Sequence, residues 1–129
     1  MTTALEVLAL ELRLTALELR FVKALLDASP VSRAGQSALI PIQELCNVLD
    51  PESGADADAA LRDDVSACLA GLLRSPRTLT PANGRSNLTL FVLARVELGN
   101  TTFFAQCQFD SRFLALLRSV ADERRLDLY

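Results

Sequence analysis

Apolar and polar positions alternate most regularly between Leu90 and Phe109. Leu90, Val92, Ala94, Val96 and Leu98 share one parity, and Phe103, Ala105, Cys107 and Phe109 share one after the dipeptide Gly99-Asn100. A period of two belongs to a strand, and Gly-Asn suits the positive φ of a two-residue turn. The stretch from Asn87 to Phe109 therefore predicts one long β-hairpin. Its expected register sets Leu98 opposite Thr101, Val96 opposite Phe103, Ala94 opposite Ala105, Val92 opposite Cys107 and Leu90 opposite Phe109. Those pairs form an apolar face, whereas Phe91/Gln108, Leu93/Gln106, Arg95/Phe104 and Glu97/Thr102 form a mixed one. A slip of one residue would destroy the sorting.

The N-terminal pattern supports two periods. Leu8, Leu10, Leu12 and Leu14 alternate with Ala9, Glu11, Arg13 and Thr15, which predicts a strand-like or extended arm over residues 1–14. Leu5, Leu8, Leu12, Leu19, Val22 and Leu26 also fit a helical stripe. Thr15-Ala-Leu-Glu18 is a capping box, so a helix is expected from about Ala16 to Ala28.

Ser29-Pro30 ends that helix, and Ser37-Ala-Leu-Ile40 reads as a short strand. Pro41 opens a helix over Ile42 to about Leu49, with Ile42, Leu45, Cys46 and Leu49 on one face and Pro51 closing it. A further helix is expected from about Ala57 to Arg74, burying Leu61, Val65, Cys68, Leu69, Leu72 and Leu73. Thr78-Leu-Thr80 is a candidate third strand and Asn83-Gly84 a turn. Asp110 caps a last helix from Ser111 to about Arg125 that turns Phe113, Leu114, Leu117, Val120 and Ala121 inward. The fold class expected is α+β: one domain over residues 1–129, with helices packed on a small antiparallel sheet that carries a long hairpin.

Composition changes this picture in two ways. Hydrophobic residues make up 50% of the 129, a surplus that suggests a homodimer through strand-edge or apolar-face contacts of the hairpin and the N-terminal arm, with the leucine row Leu8, Leu10, Leu12 and Leu14 as expected interface residues. Charges nevertheless interrupt every apolar run before the roughly 18 residues a membrane span needs, and the N-terminus lacks a basic n-region, so a cytoplasmic protein without a membrane partner is expected. Three widely spaced cysteines (Cys46, Cys68 and Cys107) and no histidine exclude the usual zinc sites and nucleophile–histidine relays. Asp56-x-Asp58 lacks the glycine and final glutamate of a calcium loop. No metal, cofactor or enzymatic activity is expected.

The charge is unevenly spread. Seven acids lie between Glu44 and Asp64, against Arg62 alone, whereas no acid lies between Ala67 and Val96. Arg74, Arg77, Arg85 and Arg95 fall in or beside that acid-free stretch and are the candidate phosphate contacts.

The order helix, short strand, helix, helix, hairpin, helix resembles that of a winged-helix domain. More narrowly, Leu14-Thr-Ala-Leu-Glu18-Leu-Arg20-Phe-Val and Ile40-Pro-Ile-Gln-Glu44-Leu resemble the helix entry and the strand-into-helix step of one family. Leu69-Ala-Gly-Leu-Leu-Arg74-Ser and Phe104-Ala-Gln-Cys-Gln-Phe109-Asp-Ser-Arg-Phe-Leu-Ala-Leu-Leu117 resemble the end of its third helix and its last strand-to-helix passage. That family is the N-terminal winged helix of the initiators that start replication of iteron-containing plasmids. The resemblance implies a dimeric, non-enzymatic regulator associated with double-stranded DNA. Two departures stand against it: the family's second winged helix has no counterpart up to Tyr129, and the helix in the recognition position is acidic. The alternative is a winged-helix-shaped protein-interaction or inhibitor module that does not touch DNA.

Overall fold

The computed structural model describes residues 2–28, 37–50, 59–79, 88–98 and 104–129. Its elements are α1 (Ala4–Leu12), α2 (Ala16–Ala28), β1 (Ser37–Pro41), α3 (Ile42–Leu49) and α4 (Ala59–Arg74), then β2 (Arg77–Leu79), β3 (Leu88–Leu90), β4 (Leu93–Leu98), β5 (Phe104–Phe109) and α5 (Ser111–Arg124). The architecture is α+β, with five helices, a three-stranded antiparallel sheet and a two-stranded one among the described residues. No described helix is long and apolar enough to cross a membrane. The turns at Asn83-Gly84 and Gly99-Asn100, Pro51 with Asp56 and Asp58, and the partner residues Thr101 to Phe103 lie outside the described residues.

The expected N-terminal arm is a helix. Thr3 caps it, its Oγ1 accepting from the Glu6 N–H at 3.2 Å, and Arg13 closes it in the left-handed region at φ 57°. Leu5, Leu8 and Leu12 recur at helical spacing and are buried, while Leu10 is turned out and 80% exposed. Leu8 and Leu12 therefore belong to the protein's own core and are not free to form the dimer interface expected of them. Leu14 is only half-buried. The first amides of α1, which have no partner within a helix, donate instead to the C-terminal tail: Ala4 to Asp127 O at 2.8 Å and Leu5 to Leu128 O at 2.9 Å. The two termini thus hold each other, and α1 packs along α5.

The capping box of α2 forms as its residues dictate. The Glu18 N–H donates to Thr15 Oγ1 at 3.1 Å, and the Thr15 N–H donates to Glu18 Oε1 at 3.0 Å. At the other end of the fold, Asp110 Oδ1 accepts from the Arg112 N–H at 2.8 Å and starts α5.

The three-stranded sheet has the order β1-β5-β4, so the early strand lies beside the last one. The hairpin register differs from expectation. Val96 faces Cys107 and Leu98 faces Ala105, a displacement of four residues from the tight-turn pairing. From Arg95 onward the even displacement keeps each side chain on its face, so periodicity alone cannot distinguish the two registers there, whereas Leu93 pairs with Phe109, three residues from its expected partner, and changes face. The expected first strand is also broken. Leu88–Leu90 pairs with Arg77–Leu79 in a separate two-stranded sheet, and β4 begins after a bend, with a bulge between Leu93 and Arg95. The cause is the run Leu90-Phe91-Val92-Leu93: Val92 and Leu93 are both buried, and adjacent residues of a regular strand point to opposite faces. The break lets both reach the core.

That core joins α1, α2 and α5 to the inner sheet face, where Ala38, Ile40, Ala105, Cys107 and Phe109 are buried. Phe109 stacks on Phe113, with ring centroids 6.1 Å apart and planes at 16°. Each large side chain buried here is worth about 1.5–3 kcal/mol relative to exposure.

Candidate functional site

The four candidate arginines do not form one patch. Arg74 is exposed at the end of α4, Arg77 begins β2, Arg95 lies on β4, and Arg85 is outside the described residues.

Arg77 is not available to a phosphate. Its guanidinium meets the Glu18 carboxylate, and the two side chains are only 16% and 12% exposed. That ion pair fastens β2 to the start of α2, and it leaves the Arg77 Nε buried without a hydrogen-bond partner. Beside it runs a groove of about 460 Å³ bordered by Glu11, Arg13, Arg77 and Thr78, in which Arg77 is held by Glu18 and Glu11 faces Arg124 at 3.7 Å.

Arg95 stays on the surface and pairs with Glu97 two residues along the same strand; their side chains are 69% and 50% exposed. On that outer face of the sheet, Gln106 and Gln108 of β5 lie beside them. Across β5, the same face carries Leu39, 60% exposed, and Phe104, 45% exposed. The hairpin pattern placed Phe104 and Arg95 on one mixed face. It did not show Leu39 joining them, because that depends on which strand β1 pairs with.

The third helix of the central set, α4, turns Arg62, Asp63 and Asp64 to solvent and packs on β4 through its other side. The first turns of its exposed face therefore carry net negative charge and disfavour a phosphate backbone, whereas Arg74 puts a cation at the other end.

Among the described residues, no group of three or more metal-binding side chains converges. None of the three cysteines is in a disulfide. Burial pushes the Cys107 thiol up to about 11. Cys68 also rises to about 11, chiefly through burial and then through the Glu18 charge, with Arg77 pulling the other way. Thiols held protonated in this way are poor nucleophiles and poor ligands. Comparison of the chain with protein-family models, with curated proteins and with solved structures gives no match.

Proposed function

We propose that this protein is a non-enzymatic regulatory module of winged-helix type, replication-initiator-like or transcription-regulating, that acts as a dimer associated with double-stranded DNA. The observation that carries the reading is topological. The succession α2, β1, α3, α4, β4, β5, with β1 beside β5, matches the helix–strand–helix–helix–wing order of that domain once the separate β2–β3 pair between α4 and β4 is taken as an insertion. DNA contact in this reading is made by the exposed cation at the end of α4, Arg74, and not by the acidic first turns of α4, while Arg95 is held by Glu97. Contacts of that kind grip phosphate without reading bases.

A second reading has its own support. Leu39 and Phe104 leave an apolar patch on the outer sheet face, and the acidic face of α4 disfavours nucleic acid. Both suit a protein-interaction module. Passage over immobilised duplex DNA at low salt separates the two. Retention that is lost as salt rises supports the first, and complete flow-through leaves the second.

A further inference from the structure

The strand β4 ends the sheet order, and among the described residues no strand pairs with its outer edge. Every second residue of such a strand turns its N–H and C=O away from the sheet, a template for another chain. The opposite edge strand, β1, ends on Pro41, which has no N–H to offer. β4 contains no proline, and its exposed charges are of opposite sign and two residues apart: Arg95 and Glu97.

That spacing is self-complementary. We propose that two copies of this chain associate by antiparallel pairing of β4 with β4 about a two-fold axis through Val96. The inference deepens the dimer part of the function proposed above and rests on that part alone. In this pairing Arg95 faces the partner's Glu97, and Glu97 faces the partner's Arg95. The single ion pair within each strand becomes an alternating cluster of four charges. Val96 meets its own copy, and Leu98, 37% exposed, comes near the partner's exposed Ala94, at the bulge where the regular part of β4 begins. A pairing centred one residue to either side loses this match: centred on Arg95 or Glu97 it places like charges opposite one another. The charges thus select the register, as cross-strand pairs do. The joined sheet has six strands, with the C-terminal ends of the two β4 strands pointing in opposite directions.

The test is a charge-swap set followed by light scattering over a dilution series. Arg95→Glu places two like-charged pairs across the axis, and so does Glu97→Arg. Each is expected to raise the dissociation constant roughly tenfold or more, because two attractive pairs become two repulsive ones. The double variant Arg95→Glu/Glu97→Arg restores opposite charges and is expected to regain the parent's mass. Mixing the two single variants also aligns opposite charges everywhere, so a heterodimer is expected from two proteins that do not self-associate. Both positions are exposed, and unchanged thermal melts confirm that each variant folds. If the parent is dimeric and both single variants keep its mass, the β4 contact is wrong and the dimer forms elsewhere. If the single variants dissociate but neither the double variant nor the mixture reassociates, the pairing is equally wrong. A parent that stays monomeric throughout overturns the contact and the dimer reading together, leaving DNA association to be judged separately.

Discussion

Arg77 and Glu18 stand 59 residues apart in the chain and share one ion pair that ties the first residue of β2 to the first turn of α2. Glu18 serves twice, because its other oxygen accepts from the Thr15 N–H and completes the helix cap. Both side chains are largely shielded from water, so the pair differs from an exposed salt bridge, and removing one partner strands the other.

Glu18→Ala is therefore expected to cost more than Arg77→Ala. The first loses the cap and leaves a shielded guanidinium unpaired, about 2–4 kcal/mol; the second leaves Glu18 bonded to Thr15 and costs about half as much. In urea denaturation, a double-mutant cycle should show a coupling of about 1 kcal/mol or more. Equal losses that simply add would mean that the pair contributes nothing specific.

The core and the outer sheet face should respond very differently. Phe113→Ala removes a buried ring that stacks on Phe109 and should cost about 3–5 kcal/mol. Arg95→Ala, on the outer face, should stay within about 0.5 kcal/mol in the monomer. The check is the shift in melting temperature of each variant.

Much of this fold was legible locally. The tetrapeptide Thr-Ala-Leu-Glu occurs twice, at Thr3–Glu6 and Thr15–Glu18, and starts a helix both times. The first copy is masked by the leucine alternation from Leu8 to Leu14, which imitates a strand. What resolves the ambiguity is nonlocal: α1 has α5 to pack on and the tail carbonyls of Asp127 and Leu128 to satisfy its amides. The inner faces of α4 and α5 followed from periodicity. The hairpin register did not, because from Arg95 onward a four-residue shift leaves the facial sorting intact, and the bulge that turns Leu93 inward leaves no mark in the alternation. The candidate cation patch failed for a related reason. Sequence shows that Arg77 lies in an acid-free stretch, but not that a carboxylate 59 residues earlier comes to meet it.

The helical reading of the N-terminus gives a direct contrast. Leu8→Ala should destabilise by about 2–5 kcal/mol, since the residue is fully buried. Leu10→Ala, 80% exposed, should be nearly neutral. In an extended arm the two would share a face and behave alike, so matching denaturation midpoints would contradict the helix.

For DNA, the prediction moves from Arg77 to Arg74. Arg74→Ala should weaken duplex binding about equally on unrelated sequences and reduce the salt slope by roughly one unit. Asp63→Asn with Asp64→Asn should strengthen non-specific binding by lowering the repulsion from α4. Fluorescence anisotropy across a salt series reads both effects. A parent that binds while Arg74→Ala leaves affinity and slope unchanged would remove this residue from the interface.

The buried thiols give the fold an alkaline limit. In the unfolded chain Cys107 ionises near its ordinary value of 9.0, whereas in the fold it stays protonated until about 11. Between those values the unfolded state releases a proton that the folded state keeps, so the stability this thiol contributes is intact below pH 9 and is lost as pH rises towards 11. Cys68 acts in the same direction with less weight, because it is only half-buried. The urea midpoint should hold steady up to about pH 8 and then fall. Cys107→Ala should start from a lower midpoint, having lost packed volume, yet fall less steeply above pH 9 because one of the linked ionisations is gone. Tyr129 and the lysine and arginine side chains remain in both proteins, so comparing the two slopes isolates the thiol. Parallel curves for parent and variant would show that Cys107 carries no part of the alkaline loss.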